Sequence, residues 1–310
     1  MSRAPYVRAA SVALLAITAA VVFQATGVSQ GVGGRPFENA SLTYSHGQSV
    51  EPVFHGWMPN PDGSFDLFFS YINRNWQEEI DIPIGPDNNI APAEFGPDGG
   101  QPAHFFPRIN RWQFSVRVPK DFGSREVVWS LTSHGQTHRA YASLSPGYAV
   151  DDFLIMHEFG NSIRGRKRPT LQVEGEKQRT AKVGQPARLV AVATDPNAPL
   201  KETRGGARFP DNVGGNLIRT AARGLRFAWY VYREPVGAHV KFDPPIPFKI
   251  WEDERGGSPY SPGWQPPPVP PNNTWIHDAI FASPGTYVLR GQAHDGFQYA
   301  NEDITFTVTP

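Results

Sequence analysis

The stretch SFDLFFSY, residues 64–71, shows the alternation that decides the fold class. Its odd-numbered positions are all apolar or aromatic: Phe65, Leu67, Phe69 and Tyr71. Most of the residues between them are polar. Because successive side chains of a β-strand point to opposite faces, this period of two predicts a half-buried strand.

The same period recurs further along the chain. Residues 111–118 place apolar side chains on every second position, and Val127, Trp129 and Leu131 do the same. The sequence Ser-His-Gly at 133–135 then predicts a tight turn. We therefore expect a hairpin that returns through a strand over residues 137–142.

A second series of short apolar segments follows residue 170. Its members are residues 170–173, 179–183, 187–193, 225–232, 239–242, 274–281, 286–293 and 303–308. The chain has 30 Gly and 31 Pro in 310 residues, which favours many short strands separated by turns over long helices. The prediction is an all-β protein with two β-sandwich domains.

The first residues resemble a secretory signal peptide. Arg3 and Arg8 precede an apolar run over residues 9–23, and this run is shorter than the roughly 20 residues that span a bilayer. We expect cleavage near residue 30, no transmembrane segment in the mature chain, and a periplasmic or secreted location. The chain has no cysteine, so disulfides and thiol chemistry are excluded.

The predicted boundaries follow composition. They are a signal peptide at 1–29, a flexible mature N-terminus at 30–48, a sandwich at 49–156, a basic linker at 157–169 and a second sandwich at 170–310. The linker is placed on a run of arginine and lysine. Long loops are predicted at 85–102, 195–223 and 251–273, where turn residues replace the alternation.

The C-terminal half resembles PKD and related immunoglobulin-like domains. The residues that carry the resemblance are Pro284–Gly285, Tyr287, the His-Asp-Gly turn at 294–296, and Trp229 in the strand over 225–232. The resemblance implies that Trp229 lies at the centre of the sandwich and that the Tyr287 hydroxyl closes a corner onto the backbone. It also implies an accessory, spacer or adhesion role.

The N-terminal half is similar to a group of secreted bacterial proteins of unassigned function. The similarity lies in residues 63–76, 81–89 and 117–123. It implies export, and it implies no particular chemistry.

Oxygen-bearing residues at strand ends suggest a metal site in the second domain. Asp195 and Asn197 follow one predicted strand, and Asp295 follows another. Calcium stabilises many extracellular domains through such oxygens, so a calcium-stabilised adhesion module is one alternative function. The sequence indicates no other cofactor.

Aromatic residues near loops are the candidate ligand contacts. Trp76, Trp251, Tyr260 and Trp264 all lie in or beside turn-rich segments. Exposed rings of this kind stack on sugars or on partner proteins.

An acidic cluster beside Trp76 offers the main enzymatic alternative. Glu78, Glu79 and Asp81 could serve a polysaccharide hydrolase, which needs two carboxyl groups facing one cleft. Adjacent strand residues point to opposite faces, so Glu78 and Glu79 cannot both line it. The chain carries no nucleophile elbow and no phosphate-binding loop.

These observations favour a non-catalytic binding or structural protein. Its expected partners are a polysaccharide or another protein of the cell envelope or the extracellular space. Lysine plus arginine and aspartate plus glutamate are equal at 29 each, so nucleic acid is not an expected partner.

Overall fold

The computed structural model of the protein describes residues 44–151, 165–197, 222–261 and 263–310. Tyr44–Pro310 forms one compact unit. The predicted signal peptide lies outside the described residues, as do most of the predicted linker and of the loop at 195–223. The domain boundaries given above therefore stay predictions.

The first half of the described chain is built from short strands. In chain order they are β1 (Val50–Pro59), β2 (Phe65–Asn73), β3 (Ile80–Asp81), β4 (Asn88–Ala91), β5 (His104–Phe105), β6 (Arg108–Val118), β7 (Val127–Ser133) and β8 (Gln136–Ala142). One sheet has the order β1-β2-β6, a second has the order β4-β7-β8, and β3 pairs with β5 in a short ribbon. The three-stranded sheets enclose one core.

Aromatic side chains fill that core. Trp129 of β7 is fully buried and packs edge-on against Phe69 of β2 and Phe114 of β6, with ring centroids 6.0 and 4.9 Å away. Because β2 and β6 belong to one sheet and β7 to the other, these contacts join the two layers. The alternation in residues 64–71 and 111–118 correctly predicted which side chains face inward except at Trp112, which lies outside this core and contacts His55 and Phe68 instead.

The second half is also a sandwich. Its strands are β9 (Thr170–Val173), β10 (Gln178–Lys182), β11 (Pro186–Thr194), β12 (Arg226–Arg233), β13 (Val240–Asp243), β14 (Thr274–Phe281), β15 (Gly285–His294) and β16 (Tyr299–Thr309). One sheet has the order β10-β16-β15-β12 and the other β13-β14-β11-β9. All pairs are antiparallel except β10 with β16.

Two features expected of an immunoglobulin-like sandwich are present in this half. Trp229 is buried within the core, with 1% of its surface exposed. The Tyr287 hydroxyl donates a 2.7 Å hydrogen bond to the Ser283 carbonyl and so forms the predicted corner. The all-β sandwich prediction is confirmed, and each of the eight predicted strands is found with ends that differ by no more than four residues from the predicted ones.

The stretch 85–102 is not a loop throughout, as its Gly and Pro content had suggested. It contains β4, and Ile90 is buried in the first core. Asn88 pins this segment, because its side-chain amide donates to the carbonyls of Ile82 and Pro102 at 2.9 and 2.7 Å. A single strand of four residues gives too short an alternation to be recognised among turn residues.

A β-bulge in β6 lies at the contact between the two sandwiches. The register shifts opposite Ser70, and Trp112 has a positive φ of 52°. The bulge turns backbone carbonyls outward. Arg290 of β15 donates to the Gln113 carbonyl at 2.5 Å, and the Tyr299 hydroxyl donates to the Trp112 carbonyl at 3.1 Å.

Strand β12 is buried on both faces. One face enters the second core, and the other packs on the first sandwich, where the Tyr232 hydroxyl donates to the Gly100 carbonyl at 2.7 Å. The Ala103 amide also donates to the Tyr232 carbonyl at 3.0 Å. At the end of this strand, Arg233 donates two 2.8 Å hydrogen bonds to the Asp98 carboxylate. The two sandwiches therefore share an extensive, ordered interface.

Candidate functional site: a cleft between the sandwiches

A histidine surrounded by carboxylates lies where the two sandwiches meet. Asp81 of β3 stands directly opposite His104 of β5 in the antiparallel register, so their side chains share a face. His104 Nδ1 lies 2.7 Å from Asp81 Oδ1, and its Nε2 lies 3.1 Å from Glu79 Oε2. Glu234, which follows β12, brings Oε1 to 3.2 Å from the same Nδ1.

The carboxylates set the protonation of this histidine. Burial opposes a charge on His104, but its hydrogen bonds to Asp81, Glu234 and Glu79 outweigh burial and hold its pKa well above the usual value. Three carboxylates thus face a single imidazole.

A cleft of about 200 Å³ opens beside the cluster. Its polar end carries Glu79, His104 and Glu234, and the rest of its wall is largely apolar and aromatic. Phe106 and Trp251 form part of that wall as a stacked pair, with ring centroids 5.4 Å apart and planes 16° apart. The cleft therefore combines an acidic end with an aromatic side.

Three of the residues that line the cleft carry a buried polar atom that stays unsatisfied. Within the described parts of the chain, Glu234 Oε2, Trp229 Nε1 and Trp251 Nε1 have no hydrogen-bond partner. An unsatisfied buried polar group destabilises a protein by about 1–3 kcal/mol. A bound ligand that supplied one donor and two acceptors would remove that penalty.

Of the four predicted aromatic contacts, Trp251 is the one that lines this cleft. Trp76 is only 7% exposed, because Arg108 and Arg255 lie over its ring at 4.1 and 3.8 Å from the centroid. Tyr260 lines a much smaller cavity beside Arg226, and Trp264 packs edge-on against Phe248. The four residues do not form one surface.

The acidic cluster near Trp76 lies just before and within the short strand β3, and Glu78, Glu79 and Asp81 all border one open pocket, so the expectation that Glu78 and Glu79 could not line the same cleft was wrong. Glu78 turns away and accepts from the Gly47 amide at 2.6 Å and pairs with His134 at 3.2 Å. Glu79 and Asp81 turn toward His104. Sequence reasoning missed His104 and Glu234, and the only signal for them was an aromatic-rich setting on each side.

The predicted calcium ligands are also brought together. Arg166 Nη2 lies between Asp195 Oδ2 at 3.4 Å and Asp295 Oδ2 at 3.3 Å. Asn197 donates to the Lys167 carbonyl at 2.7 Å and accepts from the Lys167 amide at 2.8 Å. The guanidinium thus occupies the space between the two carboxylates, and calcium binding here stays a prediction.

Comparisons with known proteins yield similarity in structure alone. No protein-family model matches the chain, and no curated protein matches it. Solved structures that align include the N-terminal eight immunoglobulin domains of Down Syndrome Cell Adhesion Molecule (10% identity, TM-score 0.22), an I-band fragment of titin (10%, 0.22) and fibronectin(III)-like modules of Clostridium thermocellum CbhA (9%, 0.21).

The alignments cover 84% of this chain in each case, but 27%, 64% and 94% of those three chains respectively. At these TM-scores the overall arrangement differs, so the fold described above rests on strand pairing and burial. Among the described residues, no helix is long and apolar enough to cross a membrane.

Proposed function

We propose that the protein is an exported, non-catalytic binding protein that takes one end of a glycan or a similar polar ligand into the cleft between its sandwiches. The observation that carries the proposal is the set of three unsatisfied buried polar atoms on residues that line that cleft. A sugar offers hydroxyl groups that both donate and accept, so it can satisfy a carboxylate oxygen and two indole N–H groups at once.

The shape and the walls of the cleft support the same class of ligand. The stacked Phe106 and Trp251 rings offer an apolar side on which a sugar ring can pack. A volume of about 200 Å³ is below the roughly 300–1,000 Å³ of pockets for drug-sized ligands. We therefore propose that a terminal unit enters the cleft while the remainder of the ligand stays outside.

Export is the second part of the proposal. It is supported by the basic residues Arg3 and Arg8 and the apolar run at 9–23. We also propose that the second sandwich is a PKD domain. Residues 284–296, which carry that resemblance, support this part of the proposal.

The test is a screen of the purified protein against glycan and cell-wall polysaccharide arrays, followed by affinity measurements on Trp251→Ala and Trp264→Ala. Trp251 lines the cleft and Trp264 does not, so the second variant is a matched control. We expect Trp251→Ala to weaken binding by about tenfold or more, the loss of about 1.4 kcal/mol, and Trp264→Ala to leave it unchanged. Binding that is insensitive to Trp251→Ala would contradict the proposal.

A polysaccharide hydrolase is the second candidate, because Glu79 and Glu234 both line the cleft. Such an enzyme needs two carboxyl groups about 5–9.5 Å apart across the scissile bond. Product analysis of the same incubations separates the two functions. Shortened glycans that disappear with Glu234→Gln would favour the hydrolase, and intact glycans favour the binding protein.

A further inference from the structure

We infer that Asp81, His104 and Glu234 bind a divalent transition-metal ion at the acidic end of the cleft. The site shares the cleft with the proposed glycan function, but the metal does not require a glycan in order to bind. Two of the ligands come from the first sandwich and the third follows β12 of the second, so the ion would join the two halves of the protein.

The ligand atoms are already close together. One atom each from Asp81, His104 and Glu234 lies within 4.8 Å of the other two. Bonds of about 2.0–2.2 Å to a common ion would hold such atoms about 3.0–3.5 Å apart. His104 Nδ1 is 3.2 Å from Glu234 Oε1, within that range, and 2.7 Å from Asp81 Oδ1, a pair that must separate slightly.

The imidazole is oriented as a ligand, and binding of the ion through Nδ1 would release to solvent the proton that Nδ1 shares with Asp81 and Glu234. Nδ1 faces Asp81 and Glu234, while Nε2 lies 3.1 Å from Glu79. Metal-binding histidines commonly donate their second N–H to a carboxylate, which fixes the ring and its tautomer. Glu79 is placed to accept that bond, and it is therefore a positioning residue.

An observation independent of these hydrogen bonds also indicates a cation. The Glu234 side chain is only 4% exposed, and its second oxygen, Oε2, has no partner in the described parts of the chain. A buried carboxylate oxygen without a donor is unfavourable unless a cation or donor reaches it.

The kind of ligand selects the class of metal. Calcium and magnesium prefer oxygen ligands alone, whereas an imidazole with two carboxylates suits zinc, manganese, iron or cobalt. Three protein ligands also leave at least one coordination position for a water molecule or a ligand atom. This site is separate from the calcium ligands predicted at Asp195, Asn197 and Asp295.

The test uses protein produced from the full 310-residue sequence and stripped of metal with a chelator. Zn²⁺ is titrated calorimetrically, and Co²⁺ is followed by its visible absorption, which reports on the ligand set. We expect one equivalent per chain. The ligand variants His104→Gln and Glu234→Gln should weaken Zn²⁺ binding by about 100-fold, and the positioning variant Glu79→Gln by about tenfold.

The matched control is Asp98→Asn, which removes another ion pair between the sandwiches, that with Arg233, and touches no proposed ligand. It should bind Zn²⁺ like the parent chain. Circular dichroism checks each fold, and Glu79→Gln decides the question if His104→Gln does not fold. Absence of stoichiometric Zn²⁺ and Co²⁺ binding, or binding that is equal in Glu79→Gln and Glu234→Gln, would overturn the inference whatever the glycan screen gives.

Discussion

Two acidic sites in this protein contain similar residues but differ in whether a fixed positive side chain lies between the carboxylates. At the first, Arg166 lies between Asp195 and Asp295, and Asp295 Oδ1 accepts from the Phe297 and Gln298 amides at 2.7 Å each. At the second, Asp81, Glu79 and Glu234 surround one histidine and leave a buried oxygen without a partner. A fixed guanidinium completes the first site, whereas the second remains suited to a ligand.

The largest loss of stability is expected on substitution of Arg166. Arg166→Gln removes the cation that pairs directly with the buried Asp295 carboxylate and leaves Arg226 as a more distant positive charge, and breaking a buried pair in this way destabilises by about 3 kcal/mol. Urea denaturation measures the loss, and Arg188→Gln, at an exposed arginine of β11, is the control. Equal stability of the two variants would show that Asp295 needs no counter-charge, and the comparison would fail.

The pH dependence at the first site is the next test. Burial and the nearby Arg226 hold the pKa of His294 well below its usual value, and its Nδ1 accepts from the Gly296 amide at 2.8 Å. Between that lowered pKa and about 6.5, the unfolded chain binds the extra proton. The stability gained by keeping His294 neutral in the folded protein is therefore fully present above pH 6.5 and is lost as the pH falls.

The expected slope from this one group is at most about 1.4 kcal/mol per pH unit. Denaturation curves recorded between pH 7 and pH 5 should be less steep in pH for His294→Gln than for the parent chain. His46→Gln changes an exposed histidine and should leave the profile as it was. If the pH dependence of stability were the same in His294→Gln as in the parent chain, His294 would not be the group responsible for it.

The smallest effect is expected in the cleft. In metal-free protein, Glu234→Gln removes one of three crowded carboxylates and supplies a donor, so stability should change by less than about 1 kcal/mol in either direction. The same denaturation assay, run beside Arg166→Gln, gives the comparison directly. A loss as large as that of Arg166→Gln would mean that Glu234 serves chiefly as a structural ion-pair partner.

The sequence predicted the strands well because burial there is local and periodic. Residues 64–71 carry their inward pattern in eight letters, and the turn at 133–135 is specified by His134 and Gly135, both with positive φ. β4 escaped prediction because four residues among turn residues show no clear period. The corner at Tyr287 was recognised through the family resemblance alone.

The candidate site was predictable only in part. The sequence singled out Glu79 and Asp81, which both contact His104, but the strand argument against Glu78 and Glu79 sharing a cleft did not apply, because neither residue lies in a strand and both line one pocket. His104 lies 23 residues from Asp81, and Glu234 belongs to the other sandwich. Their meeting depends on the docking of β12 against the first sandwich, which no local pattern encodes. The role of Arg166 between the aspartates depends on tertiary contacts in the same way.

Strand β12 has a practical consequence for anyone who divides this chain. Its outward face carries Tyr230 and Tyr232, and both are covered by the first sandwich. A fragment that contains the second sandwich alone would present this edge strand and its aromatic face to water, where it can pair with other copies. We expect such fragments to aggregate, so soluble expression depends on keeping both halves in one polypeptide.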